Sequence, residues 1–332
     1  MIIQDKYSDL RQHLKLLNAS LVQRADATPP KEDLRQDLQE KVGQLMPIRA
    51  LSDEDIQNWL GDAGVVAVDG SINTYGGNYP SFITLFRALA KSTKGLEYNQ
   101  YSYLTPLDEN GMTDIRELME EKSLSAENSA ERLKNQRLAQ MEIKVALEAL
   151  QDNPPGLMLM DGGFLRYEHG DATLWEEFRR TARACGCIVV GVIEEVGTFQ
   201  LATMLDLDNH LPGEKIFDRE LLFGNLRPGE WLKVQPGQEW KRDYYTCFGR
   251  LADHPQATGF DFFPEDLPQV EQVMNFLYTI TPSASRGIPL WLDMIDHEVR
   301  ITHQETQLLI QSTLDASVVE KLFKAQRSRR DI

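Results

Sequence analysis

Two carboxylates stand at matching places in the chain. GVVAVDGS (64–71) and GLMLMDGGF (156–164) are apolar runs that each stop at Asp-Gly. Val65 to Val68 and Leu157 to Met160 read as buried strands. This sets Asp69 and Asp161 at two strand ends, with glycine opening the turn. A third acid, Glu142, lies on a helical stretch between them, where Glu131 and Glu148 compete for its place. A fourth group comes from Asp293, Asp296 or His297 late in the chain. Acids on two strand ends, an intervening helix and a final helix can converge on one edge of a sheet. Such a cluster cannot stay fully ionised without cations, because like charges repel at short range. Mg²⁺ or Mn²⁺, which favour carboxylate oxygens, would neutralise it. Two such ions about 4 Å apart suit phosphodiester hydrolysis, activating water and stabilising the leaving oxygen.

The elements that must position these groups follow from the pattern of apolar residues and breakers. Residues 1–60 read as helical. Leu10, Leu14, Leu17 and Leu21 form a stripe, Pro29 and Pro30 break the chain before an acid-led restart, and Ser52 caps a third helix. After the first Asp-Gly, SINTYGGNYP is rich in turn formers. PSFITLFRALAKST and LEYNQYSYLTPL read as strands, although Phe82, Leu85 and Leu89 also fit a helix. Residues 112–151 are one long helix or two. Leu138, Met141, Val145 and Ala149 form its buried stripe, with Glu142 beside them. Asn153-Pro154-Pro155-Gly156 ends it. Strand 157–161, helix 172–184 and strand 187–195 follow. Between 206 and 265 antiparallel strands joined by Pro-Gly turns are expected. Two late helices start at Pro264 and Pro289, and the basic tail frays. The order implies an α/β fold with a mixed sheet flanked by helices. The organisation expected is a helical arm (1–60), a main domain (61–310) with a β-rich insert (206–265), and a C-terminal helix and tail (311–332).

The 332 residues suffice for one large domain or two smaller ones. The net charge of −16, from 51 acidic and 35 basic residues, argues against a broad basic surface for nucleic acid. It leaves room for a local basic groove, or for a partner that delivers the substrate. No run approaches the roughly 20 apolar residues of a membrane span. The N-terminus shows no basic region followed by an apolar core, so no signal peptide is read. Cys185, Cys187 and Cys247 are too few for a disulfide framework, and buried thiols in a reduced, cytoplasmic setting are expected. Arg87, Lys91, Lys94 and Arg166 are candidates for phosphate contact. Tyr75, Gly76 and Gly77 are candidates for a strand-binding groove, and His303 reads as a surface residue.

Taken together, VVAVDGS (65–71), Glu142, LMLMDGGFL (157–165), VVGVIEE (189–195) and GIPLWLDMIDHEVRI (287–301) resemble the NurA nuclease family. These are RNase H-like nucleases that act with the hexameric DNA translocase HerA in DNA end processing. The resemblance runs from about residue 60 to 305. It implies an RNase H-like mixed sheet and metal-binding roles for Asp69 and Asp161. It makes Glu142 the helical glutamate and Asp296 the final-helix ligand, with His297 adjacent in a second role. It further implies two Mn²⁺ or Mg²⁺ ions, single-stranded and duplex DNA ends as substrates, a homodimer, and a HerA-like ATPase as partner. The activity implied is a 5′–3′ exonuclease with single-strand endonuclease action in double-strand break resection. The chain departs from the family at Ile288, where an aromatic residue is common, and at Glu194 and Glu195, where a basic residue is usual. Two other readings fit Asp-Gly turns and the acidic charge. One is a phosphotransferase of the actin/sugar-kinase class, and the other is a catalytically degenerate scaffold for the translocase.

Overall fold

The computed structural model describes residues 7–26, 30–207, 216–235, 241 and 243–324. Pro29 and the basic tail lie outside the described residues. The strands are β1 (Gly43–Pro47), β2 (Val65–Gly76), β3 (Phe82–Ser92), β4 (Glu97–Leu104), β5 (Leu157–Asp161), β6 (Ile188–Ile193), β7 (Glu230–Val234), β8 (Tyr245–Arg250) and β9 (Thr258–Phe262). The helices that matter here are α1 (Ser8–Asp26), α2 (Asp53–Leu60), α3 (Glu109–Lys122), α4 (Ala126–Asp152), α5 (Phe164–Gly170), α6 (Ala172–Cys185), α7 (Val270–Thr279), α8 (Leu290–Val299), α9 (His303–Thr313) and α10 (Ala316–Leu322). The chain divides into two compact units. One comprises 51–192, 261–266 and 289–332; the other comprises 1–50, 193–260 and 267–288.

The first unit carries strands in the order β6-β5-β2-β3-β4. β2, β3 and β4 form an antiparallel meander, β5 runs parallel to β2, and β6 parallel to β5. This is the mixed sheet expected of an RNase H-like chain. Its central strands are apolar without alternation because both faces are covered: Val65 to Val68, Leu157 to Met160 and Val189, Val190 and Val192 are all buried. The ambiguous stretch at 82–92 is a strand, paired on both sides by β2 and β4. The segment 112–151 resolves into two helices, α3 and α4. Ser123 adopts a left-handed conformation (φ 54°) between them. Ser125 then caps α4 by accepting the Asn128 N–H. The α4 stripe of Leu138, Met141, Val145 and Ala149 is buried, as its spacing predicts.

One strand end is not where the sequence suggests. β2 does not stop at Asp69 but continues to Gly76, with Asp69 opposite Leu89 of β3. What stops is its parallel neighbour: the last β2–β5 pair is Val68 with Met160. Asp69 therefore marks the point where β2 outruns β5. SINTYG is strand, and the turn comes after Gly76 (φ 103°). At the second motif the expectation holds, since β5 ends at Asp161 and Gly162 turns the chain at φ 95°. The short helix α5 that follows has no counterpart in the sequence reading.

The second unit carries strands in the order β1-β7-β8-β9, with β1–β7 and β7–β8 antiparallel. β1 interrupts the stretch read as wholly helical. Gly43 lies opposite Val234, and a Cβ there would sit 2.1 Å from the Lys233 carbonyl oxygen. Arg35 clamps the start of β7 through a two-pronged bond to Glu230 at 2.7 and 2.8 Å. Leu10, Leu14, Leu17 and Leu21 of α1 are each about half exposed. The helix expected from Pro264 begins as a 3₁₀ turn (Pro264–Gln269) containing Pro268, and becomes α-helical as α7 at Val270.

Candidate active site

The register of β2 against β5 sets the first two carboxyls side by side. Asp69 is buried, and its Oδ1 accepts the Gly70 N–H at 2.6 Å. Asp161 follows Met160, the β5 partner of Val68, and so lies beside Asp69. Burial, then the Asp161 and Glu142 charges, push the Asp69 carboxyl up to about 9. Burial and Glu142 push Asp161 up to about 6, with the Arg166 guanidinium opposing. Asp296 raises both. Glu142 and Asp296 thus lie near enough to the Asp pair for their charges to bear on it. The physical cause is burial of carboxyls close to one another and short of positive charge.

Glu142 reaches this cluster from α4 and is completely buried. Both its oxygens are taken by Arg166 of α5: Nη1 donates to Oε2 at 2.6 Å and Nη2 to Oε1 at 2.7 Å. Arg166 Nη1 also donates to the Asp161 carbonyl at 3.0 Å, as does the buried Tyr167 hydroxyl at 2.6 Å. The tight approach of α4 explains the glycine after Asp69. A Cβ on Gly70 would meet Glu142 Oε1 at 2.4 Å and Leu138 Cδ1 at 2.7 Å. Glu131 and Glu148, the alternatives to Glu142, are exposed. Glu131 pairs with Lys134, and Glu148 accepts from Gln100.

Helix α8 supplies the late acid. It starts after Pro289, and half-exposed Asp296 accepts from Arg300 one turn on at 3.2 Å. His297 is exposed on the same helix. Asp293 is half-buried on the same helix. α8 is fastened to β2 and β3 by polar bonds. Trp291 Nε1 donates to the Lys91 carbonyl at 3.0 Å, Arg87 Nη1 to the Glu298 carbonyl at 2.6 Å, and the Ile301 N–H to Ser71 Oγ at 3.0 Å.

Several residues read as DNA contacts have other occupations. Arg87 and Lys91 hold α8 through Glu298, Arg166 holds Glu142, and Lys94 donates to Asn153. Tyr75 does not line a groove; it is buried with Ile83, Ile310, Val319 and Phe323. Glu194 is neutralised by Arg286 at 2.7 Å. The three cysteines are free, with Cys187 and Cys247 buried as expected but Cys185 exposed. Sequence reasoning missed the pairing of Arg166 with Glu142. The available signal was a cation one helical turn beyond the second Asp-Gly, whose partner lies on another element.

The donor chemistry of Asp69 and Asp161 suits a hard divalent cation, which favours carboxylate oxygens. Glu142 stands beside the pair, each of its oxygens accepting one bond from Arg166. Among the described residues, no group of three or more His, Cys, Asp and Glu side chains is arranged to hold a metal ion.

The profile of the NurA domain matches residues 64–301, well over half of the chain. The chain belongs to the NurA family of nucleases. The NurA nuclease from Sulfolobus solfataricus shares the fold, with a TM-score of 0.52 at 14% identity over 96% of this NurA chain and 97% of that one. Endonuclease V from Ciona intestinalis, in complex with a 24mer DNA containing an inosine followed by a ribo-adenosine, aligns with a TM-score of 0.38 at 14% identity, over 84% of this chain and 97% of that one. The catalytic domain of human endonuclease V gives 0.37 at 14% identity, over 86% and 98%. These two likenesses are too slight to carry an inference. No curated protein matches this NurA sequence.

Proposed function

We propose that the chain is a metal-dependent DNA nuclease that hydrolyses phosphodiester bonds at the Asp69–Asp161 pair. The observation that supports this is the proximity of buried Asp69 of β2 and Glu142 of α4 to half-buried Asp161 of β5, with Asp296 of α8 acting on the Asp pair. Asp69 and Asp161 would hold Mn²⁺ or Mg²⁺. When bound, such an ion supplies Lewis acidity and a more acidic water.

The protein groups do the rest. The β2–β5 register places the two carboxyls, and burial strengthens every charge interaction there. Arg166 holds Glu142 beside the pair through their ion pair. Arg300, exposed just past the end of α8 and paired with half-exposed Asp296, can meet phosphate charge.

Membership of the family supports the finer reading. In it the chain acts on single-stranded and duplex DNA ends, as a 5′–3′ exonuclease with single-strand endonuclease activity, in double-strand break resection. It works as a homodimer with a HerA-type ATPase. A cytoplasmic setting fits the three free thiols. No described helix is long and apolar enough to cross a membrane.

The test is cleavage of end-labelled single- and double-stranded DNA in Mn²⁺, Mg²⁺ or EDTA, with and without the ATPase. Products are expected with either ion, none in EDTA, and none from Asp69→Asn in any condition. Undiminished cleavage by Asp69→Asn would sink the assignment. Absence of cleavage alongside retained binding to the ATPase would favour a scaffold. A thermal shift with Mg-ATP alone would favour a phosphotransferase.

A further inference from the structure

Lys134 is a buried charge that the acid pair does not use. It stands on α4 eight residues before Glu142 and on the same face of the helix, with Leu138 between them. The rise of the helix sets the two about 12 Å apart. That face tracks β2. Glu142 and Leu138 crowd Gly70, whereas Lys134 Nζ lies 4.3 Å from the centroid of the Phe82 ring, and Phe82 is the β3 partner of Gly76. Past Val68, β2 has left β5 behind and continues paired with β3. Ile72 and Thr74 on this stretch are exposed. At its far end is a cleft of about 530 Å³, lined by Thr74, Asn78, Tyr79, Phe82, Asn128 and Lys134 among others.

A lysine is seldom buried unless it is well paired. Lys134 is only 7% exposed, yet the carboxylate it meets is open to water. Its Nζ donates to Glu131 Oε1 at 2.6 Å, and the Glu131 side chain is 70% exposed. An ion pair with so exposed a partner contributes little to stability, and does not account for a sunken ammonium. Glu131 marks instead where an oxyanion meets Lys134. The carboxylate can swing out to water and a phosphate oxygen can take its place, since lysine binds phosphate as a point charge. The spacing suits this. A stacked strand carries one charge per about 3.4 Å of axis, so 12 Å spans roughly three to four phosphates. A strand cut at the Asp69–Asp161 pair and lying along β2 would bring a phosphate of its own to Lys134.

We propose that Lys134 grips a phosphate of the substrate strand a few nucleotides from the bond that is cut, and that Glu131 holds the place of that phosphate in the DNA-free protein. The substrate strand then runs between α4 and the free length of β2, toward the turn after Gly76. The proposal rests on the nuclease reading above and concerns a residue outside its acid cluster.

The test is fluorescence anisotropy of an end-labelled single-stranded oligonucleotide with the full-length protein in EDTA, from about 50 to 200 mM salt, beside steady-state cleavage in Mn²⁺. Lys134→Gln is expected to weaken binding about tenfold on every sequence alike, and to make the log–log salt slope shallower by about 0.7, the share of one single-strand phosphate. In cleavage it should raise KM by a similar factor and leave kcat within about twofold, a split that a merely structural role would not give. Lys134→Arg keeps the charge and should bind within about threefold of the wild type. Glu131→Gln should tighten binding by up to about fivefold, the equivalent of an exposed ion pair, and should add nothing to Lys134→Gln in the double variant. An unchanged KM and salt slope in Lys134→Gln, or a gain from Glu131→Gln that persists in the double variant, would overturn the proposal while wild-type cleavage upholds the nuclease reading. A wild type that binds the strand without cutting it would overturn that reading, and the binding comparison would still decide the role of Lys134. A wild type that does neither would overturn both. If Lys134→Gln does not fold, Glu131→Gln decides, and binding no tighter than the wild type would overturn the proposal.

Discussion

At the scale of single residues, the Asp69–Asp161 pair controls both chemistry and stability. Asp69→Asn keeps the shape and removes the charge, so the fold should persist. Hydrolysis should fall by at least about 10³-fold, the equivalent of several kcal/mol of lost charge stabilisation. Steady-state cleavage assays with circular dichroism as a folding control test this.

The same pair sets a pH dependence. Both carboxyls are raised, Asp69 to about 9 and Asp161 to about 6, so the folded chain holds protons that the unfolded chain releases near pH 4. Their stabilising contribution is complete below that point and is lost as pH rises through the folded values. In EDTA, stability should therefore fall between about pH 4 and 9, by up to roughly 1.4 kcal/mol per pH unit for each extra proton held. Asp69→Asn should flatten the slope. Urea denaturation at pH 5, 7 and 9 measures it, and a wild-type stability that rises over this range would contradict the assignment.

Gly70→Ala drives a methyl group into Glu142 and Leu138, and should cost about 1–3 kcal/mol in the same experiment. The sequence shows two Asp-Gly pairs and invites one explanation for both. Gly162 is there for its positive φ, Gly70 for the closeness of α4. Nothing local separates the two, because the reason for Gly70 lies on a helix distant in sequence.

At the scale of elements, the acids that could be read were those whose own segment declares its ends. β5 is an apolar run closed by Asp161 and a turning glycine, and α8 is announced by Pro289. Glu142 was legible as a position beside the α4 stripe, but its partner was not, because Arg166 sits on a helix of seven residues too short to show periodicity. β1 was hidden for a related reason. It has five residues, its pattern is weak, and its partner β7 lies far along the chain.

What the sequence did not reveal about α8 is how it is held. Arg87 joins the Glu298 carbonyl near the helix end to Asn99 on β4 through all three of its nitrogens. Arg87→Ala should free the C-terminal turn of α8, shift Asp296, and lower kcat/KM roughly 10- to 100-fold, the usual effect of misplacing a site group by about 1 Å. Arg87→Lys should not restore the rate, since one ammonium cannot reproduce the planar fork. Wild-type kcat/KM in either variant would show that α8 keeps its position without this bond.

At the scale of the whole molecule, the net charge of −16 sets how DNA is met. A protein that binds DNA by neutralising 6–10 phosphates loses about 10³- to 10⁵-fold in affinity between 50 and 200 mM salt. Three of the cations read as phosphate contacts are engaged within the first unit: Arg87 on the Glu298 carbonyl, Lys91 on the Glu298 carboxylate and Arg166 on Glu142. The acidic remainder repels the DNA backbone over a Debye length of about 10 Å at 0.1 M salt. Added salt therefore screens a repulsion as well as an attraction, and the two effects oppose. For the chain alone, kcat/KM on a single-stranded oligonucleotide should change by less than about tenfold between 50 and 200 mM salt at fixed Mn²⁺. A steep fall, with a log–log slope near −6 or beyond, would mean that the chain presents a basic track of its own. The shallow response carries a consequence for partnership. Long-range attraction to DNA would then have to come from another molecule, so adding a HerA-type ATPase should raise kcat/KM and bring a steep salt dependence with it.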